Sequence, residues 1–249
     1  MRHLFIALSL LSLPIQAQSL HPVTRFHAGE CYPRYYDDYF LSGFLQSTDT
    51  LATDATQGIL QMPFVGKVEL SYIGEKDSTQ YVAYATRYHL RERPTNNPQT
   101  YTVKLQRYGI QAFIQSYEDY SVQRYAFPDT IAAKGFLIDL DHMRRESDNE
   151  NMKVTLIDRY TLRACKRKGS QDAIYYYVRF SHPYDTWSIR QDKIELKNGL
   201  KDPRCKVTLT FALEKGEPLL VRSAVSTHST NEAYRKVEGH LPETLFSDN

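Results

Sequence analysis

Apolar and polar residues alternate in short runs along most of the chain. Tyr101, Val103 and Leu105 interleave with Thr102, Lys104 and Gln106. Ile110, Ala112 and Ile114 resume the alternation after the turn signal Tyr108-Gly109. Phe136, Ile138 and Leu140 alternate with Leu137 and Asp139, and Ile174, Tyr176, Val178 and Phe180 with Tyr175, Tyr177 and Arg179. A period of two places one face of a strand in a core. Further strands are expected at 59–62, 65–73, 81–90, 120–127, 154–157, 160–165, 187–190, 194–196, 207–213 and 219–225. Pro63 and Pro128 read as stops, 93–98 and 148–151 as loops, and 18–56 as irregular. About a dozen short strands at even spacing predict an all-β fold, a large antiparallel sandwich. One helix is expected near the end. Ser229 and Glu232 have capping-box spacing, Ala233, Val237 and Leu241 form one apolar stripe, and Pro242 stops it.

The first residues have a different pattern. Arg2 and His3 precede an apolar run over 4–13, Pro14 breaks it, and Ala17 precedes a plausible cut. This is the layout of a secretory signal peptide over 1–17, too short to span a bilayer. The expectation is a periplasmic or secreted protein with one domain over 18–249 and no membrane span. That compartment permits disulfides. Cys31, Cys165 and Cys205 are an odd set; Cys165 and Cys205 are candidate neighbours, and buried single thiols are the alternative.

Composition adds two constraints. The 249 residues carry a formal charge of +2, with 41% hydrophobic and 24% charged residues. Such a balance suits a soluble globular chain and lacks the positive excess of a nucleic-acid binder. The 19 tyrosines and 11 phenylalanines against one tryptophan lean further towards β structure. Motifs carrying chemistry are sparse. Lys166-Arg167-Lys168 reads as a solvated hairpin turn. Tyr175 and Tyr177 share a face opposite Tyr176, suited to covering a sheet or stacking on sugar rings. Asp139, Asp141 and His142 gather at a strand end, where chance proximity weighs against a metal or acid/base role. No phosphate loop, dinucleotide fingerprint, metal spacing or triad signature is present, so no catalytic or metal residue is assigned.

Read in order, the segments resemble the N-terminal domain of glycoside hydrolase family 92. Gly43-Phe44 with 58–63 is similar to that family's "GFSH…GDILLMP" stretch. Residues 84–88, 101–105 and 108–112 are similar to "YASRF…YYSVTLDDYGIKAELT". Residues 124–128 resemble "HRYTFP", 137–142 resemble "ILDLEHG", and 174–184 resemble "VYFYAEFSKPF". Residues 221–242 resemble the closing strand and helix, and the ordered series covers roughly 35–242. The resemblance implies a galactose-mutarotase-like supersandwich. In the family that sandwich precedes an α/α-barrel, and the complete enzymes are calcium-dependent, inverting exo-α-mannosidases. Their carboxylates and calcium ligands belong mainly to the barrel, so this chain implies no cofactor of its own, with calcium only if a barrel completes it.

Departures from the family pattern limit what carries over. The His-bearing "SHTHLSGTG" loop reads Leu45-Gln46-Ser47-Thr48-Asp49-Thr50-Leu51-Ala52-Thr53 here, and "FSHE" reads Tyr88-His89-Leu90-Arg91. The family's Gly-rich opening is absent. Fold alone does not fix function. The leading expectation is a non-catalytic module that binds a carbohydrate, such as a mannose-containing glycan, or docks onto a partner protein. The positions transferred for sugar binding are Thr48, Asp49, Asp54, His89 and Trp187. The alternative is one half of a split α-mannosidase, completed by a separate barrel-domain chain. It expects an exposed apolar patch formed by Ala233, Val237 and neighbouring tyrosines. An epimerase-like enzyme is the third reading, and no His–carboxylate pair commits to it.

Overall fold

The computed structural model describes residues 31–35, 40–48, 58–73, 81–91, 100–142, 150–168, 172–195 and 201–239. Its strands are β1 (Cys31–Tyr35), β2 (Phe40–Ser47), β3 (Gly58–Val65), β4 (Tyr72–Ile73), β5 (Tyr81–Val82), β6 (Thr86–Arg91), β7 (Thr100–Leu105) and β8 (Ile110–Ser116). They continue with β9 (Ser121–Ala126), β10 (Lys134–Asp139), β11 (Glu150–Leu156), β12 (Thr161–Lys168), β13 (Asp172–Phe180), β14 (Tyr184–Glu195), β15 (Lys201–Phe211) and β16 (Leu219–Ser226). One helix follows, α1 (Thr230–Glu238). Fourteen strands form one antiparallel sheet in the order β11-β12-β13-β16-β9-β8-β7-β6-β2-β3-β10-β15-β14, with β1 beside β2. β4 and β5 form a separate pair.

The sheet folds over on itself into the expected sandwich. Strands β11 to β6 of that order make one layer, and β1, β2, β3, β10, β15 and β14 make the other. The layers join where Phe40 and Leu41 pair with Arg87 and Thr86. Between them lie fully buried Phe44, Tyr125, Phe136 and Phe180, whose rings contact one another in a chain. A polar seam crosses the same interior. Gln123 donates to Gln61 Oε1 at 3.1 Å and Ser223 Oγ at 2.9 Å, and Gln46 Oε1 accepts from Ser121 and Ser223. Because these groups satisfy one another, the seam fixes the two layers against each other.

Several sequence expectations change. β1 and β2 occupy the segment expected to be irregular. β2 is buried on both faces, so its residues show no alternation for a period of two to reveal. β3 runs through Pro63, which pairs with Phe136 of β10. β2 pairs with β3 only from Gly58 to Gln61, so among the described residues the missing N–H of Pro63 falls where β3 has no partner on that side. The strand expected over 65–73 shrinks to Tyr72–Ile73, since Gly66 turns the chain with φ of 76°. The strands expected at 187–190 and 194–196 are one, β14.

Lys166 is the clearest correction. β12 continues to Lys168, and Lys166 is buried opposite Met152 and Ile174 instead of solvated in a turn. Arg167 on the other face lies over the Tyr175 ring and donates to its hydroxyl at 3.0 Å. The three cysteines are free. Cys165 lies in β12 and Cys205 in β15, on different layers, and burial pushes the Cys31 and Cys205 thiols up, Cys205 to about 11.

The helix forms as its sequence dictates. Ser229 accepts from the Glu232 N–H at 3.1 Å. The Glu232 carboxylate accepts from Ser226, whose own oxygen accepts from the His228 and Ser229 N–H groups. Gly239 caps α1 ahead of Pro242, which lies outside the described residues with Leu241. Ala233 and Val237 are completely buried against Tyr120, Tyr177 and Ala224 on the outer face of β13 and β16. The apolar patch expected by the split-enzyme reading is therefore covered at these two residues.

Gly43 marks the bend of β2. Its φ is 145°, and a Cβ there would lie 2.5 Å from the Gln61 carbonyl oxygen. Gly43→Ala is expected to cost on the order of 2–4 kcal/mol through strain and collision. A thermal melt followed by circular dichroism checks this, and an unchanged midpoint would refute the packing described at this bend.

Candidate functional site

Among the described residues, the positions transferred from sequence, Thr48, His89 and Trp187, lie on different parts of the sheet. Thr48 follows the end of β2 where Ser47 pairs with Gly58, and β2 meets β6 only at its opposite end. His89 lies on β6 opposite Lys104. Trp187 stands on β14, four strands from β2, and is 55% exposed. Asp49 and Asp54 lie outside the described residues.

Asp139, Asp141 and His142 do come together, as a sealed ionic cluster. Lys206 Nζ bridges Asp139 at 2.6 Å and Asp141 at 2.5 Å. The Tyr84 hydroxyl donates to Asp139 at 2.6 Å, and the Asp141 N–H donates to Asp139 at 3.1 Å. Burial alone would raise the Asp139 carboxyl, but the Lys206 ammonium overrides it and holds Asp139 well below the usual carboxylate range. Burial and the neighbouring Asp139 charge hold Asp141 above its ordinary value. His142 is pushed down to about 3 by burial, so its ring is neutral, and neither ring nitrogen has a partner among the described residues. An ammonium already fills the place a cation would take. Among the described residues no group of His, Cys, Asp and Glu is arranged to hold a metal. The cluster is closed to substrate and has a structural part.

A groove of about 680 Å³ opens elsewhere, at the end of the sandwich where three connections meet. The β11–β12 turn supplies Tyr160, the β13–β14 link supplies Ser181 and His182, and the β15–β16 link supplies residues 214–218. Gly216, with φ of 80°, lets that last link turn sharply. The links are tied together. Ser181 N–H donates to the Leu220 carbonyl at 2.9 Å, Tyr184 N–H donates to the Arg159 carbonyl at 2.8 Å, and Lys134 Nζ donates to the Leu213 carbonyl at 2.8 Å.

The polar centre of the groove is a relay. Ser181 Oγ lies 2.8 Å from His182 Nδ1, and His182 Nε2 lies 2.7 Å from Glu217 Oε1. Ser181 Oγ also accepts from the Leu220 N–H at 3.0 Å. Glu217 also accepts from the Glu214 N–H at 2.9 Å, and these two contacts hold its carboxyl below the usual range. Arg179 and the 41%-exposed Tyr160 border the relay. Such a groove offers an aromatic face beside convergent donors and acceptors, the chemistry that a polyhydroxylated ring requires. Sequence reading missed these residues because they lie on three separate links. Only the Ser181-His182-Pro183 interruption of strand alternation signalled anything there.

The sequence profile of the glycosyl hydrolase family 92 N-terminal domain matches residues 8–226. This chain belongs to that family. The match begins within the segment read as a leader. This family 92 N-terminal domain is also similar in fold to solved enzymes. A family GH92 inverting mannosidase from Bacteroides thetaiotaomicron VPI-5482 superposes with a TM-score of 0.61 at 16% identity, covering 87% of this chain and 28% of that one. A family GH92 α-mannosidase from Bacteroides thetaiotaomicron, in complex with mannoimidazole, gives 0.62 at 21% identity, covering 82% of this chain and 28% of the enzyme. The family 92 N-terminal domain thus spans about 28% of the length of these mannosidases. No curated protein matches the sequence.

Proposed function

We propose that this family 92 N-terminal domain works as a non-catalytic carbohydrate-binding module outside the cytoplasm, with the Tyr160–His182–Glu217 groove as its ligand site. The observation that carries this reading is the groove itself, an exposed aromatic face beside a fixed hydrogen-bonding relay. The ligand class is a neutral glycan, mannose-containing by analogy with the enzymes of similar fold. Calcium has no part in this reading.

Glycan-array binding by the purified chain, with and without a calcium chelator, tests it. The expected result is glycan binding indifferent to chelation, with no mannose released from α-mannosides. Hydrolysis of an α-mannoside in the presence of calcium would overturn it. The second reading, one half of a split mannosidase completed by a barrel-domain chain, draws its support from family membership. The burial of Ala233 and Val237 weighs against it.

A further inference from the structure

We propose that helix α1 is part of the ligand site: Arg179 donates to a glycan lying in the groove, and Glu238 of α1 is the positioning residue that holds the Arg179 guanidinium in place. The inference rests on the groove reading above and adds two residues to it. Arg179 lines the groove together with Tyr160 and Leu220. It stands one residue before the end of β13, opposite Thr161 on one side and Arg222 on the other.

Its contact with α1 runs through one carboxylate oxygen. Arg179 Nη1 donates to Glu238 Oε1 at 3.2 Å, and the Tyr177 hydroxyl donates to the same oxygen at 3.1 Å. Tyr177 and Arg179 are two apart on one strand, so both stand on the outer face that α1 covers. Burial first, and then the Glu238 charge, push the Tyr177 hydroxyl up, so it keeps its proton and stays a donor. A guanidinium carries five N–H groups in a planar fork. The contact with Glu238 uses Nη1 and leaves further donors for hydroxyls in the groove.

The two ends of this pair are held unequally. The Glu238 side chain is 13% exposed and that of Arg179 is 43% exposed. Glu238 follows the completely buried Val237, and its second donor, Tyr177, packs edge-on against Tyr234 at 5.3 Å. The carboxylate is therefore the fixed end and the guanidinium the movable one. Arg222, buried on β16, adds a second reason for a carboxylate here. Burial is the main influence loosening the Arg222 proton; the Arg179 charge adds to it and the Glu238 charge opposes it. One carboxylate from α1 thus offsets two neighbouring guanidiniums. A half-exposed ion pair contributes little to folding. Its value lies in orientation, because a long side chain that is already ordered loses less freedom when it grips a ligand.

Calorimetric titration with an α-linked mannotriose tests this on the unaltered chain, Arg179→Ala, Glu238→Met, their double variant and Glu238→Gln. Arg179→Ala is expected to bind about tenfold more weakly through loss of a charged donor. Glu238→Met keeps the length and helix preference of the side chain and is expected to weaken binding about fivefold. The double variant should match Arg179→Ala, because Glu238 acts only through Arg179. Glu238→Gln keeps an acceptor oxygen and should recover most of the affinity. Thermal melts of each variant separate loss of binding from loss of folding. Losses that multiply in the double variant, or binding unchanged by Arg179→Ala or by Glu238→Met, would overturn the inference. Tyr160→Ala separates it from the reading beneath it. Binding weakened by Tyr160→Ala but not by Arg179→Ala keeps the groove and sinks the part of α1, whereas an unaltered chain that does not bind mannotriose overturns both.

Discussion

Lys206→Met is expected to destabilise the domain by about 3–5 kcal/mol at neutral pH. Lys206, Asp139 and Asp141 are all almost completely buried, and the single ammonium lies within hydrogen-bonding distance of both carboxylates. Methionine keeps much of the side-chain volume and removes the charge. Two carboxylates then remain in the interior, with the Tyr84 hydroxyl and the Asp141 N–H still donating to Asp139. Desolvation and mutual repulsion would raise both of their proton affinities in the folded state. The deficit should therefore grow as pH rises above the ordinary carboxylate range and shrink as pH falls. Combining Lys206→Met with Asp139→Asn and Asp141→Asn should recover much of the loss, since the buried charge is gone from both sides. Urea unfolding of the four proteins at two pH values measures this. An unchanged midpoint for Lys206→Met would mean that the cluster is solvated, contrary to its burial.

The second large effect concerns acid stability. His142 is neutral in the fold, with its affinity for a proton lowered to about 3 by burial first, then by the nearby cations Lys206, Arg34 and Lys166. Asp139 pushes the other way and is outweighed. The folded value is depressed relative to the unfolded one, near 6.5. The stability this contributes is fully present above that unfolded value and is lost as pH falls towards the folded one. The whole window is worth at most about 5 kcal/mol. Asp141, whose folded affinity is raised, works in the opposite sense from the ordinary carboxylate range upward. Asp139, whose folded value is lowered, loses its contribution below that range. His142→Phe and His142→Leu remove only the histidine component. Both should unfold at lower pH than the unaltered chain when followed by fluorescence. Identical acid transitions would mean that His142 has a proton partner in the fold.

Much of this fold was legible from alternation. β7, β8 and β13 lie where period two placed them, because each has one buried face and one that is exposed or half-exposed, apart from Tyr177 of β13, which α1 covers. β2 and β10 are buried on both faces, so polarity no longer follows position along them. Asp139 shows the same limit. Sequence grouped it with Asp141 and His142, but the residue that gives the group meaning is Lys206, 67 positions later. Lys166 was read as solvent-facing because lysine usually is, while register turns it inward. The groove was the hardest to foresee. Tyr160 was expected to open a strand and His182 and Glu217 carry no motif, and only the folding-over of the sheet brings their links to one end. The candidate positions carried over from the mannosidase resemblance depended on a loop whose residues differ here, so resemblance could place the fold and not the site.

In the proposed function a glycan occupies the Tyr160–His182–Glu217 groove without being cleaved. Calorimetric titration of the unaltered chain and of Tyr160→Ala, with a glycan selected by array binding, tests it most directly. Tyr160 is partly exposed, so its removal should lower the melting temperature only modestly, leaving a folded protein for the titration. The expected result is a saturable binding isotherm for the unaltered chain and about tenfold weaker binding for Tyr160→Ala, through loss of ring stacking. Equal affinity for both proteins, or cleavage of the glycan during the titration, would contradict the claim.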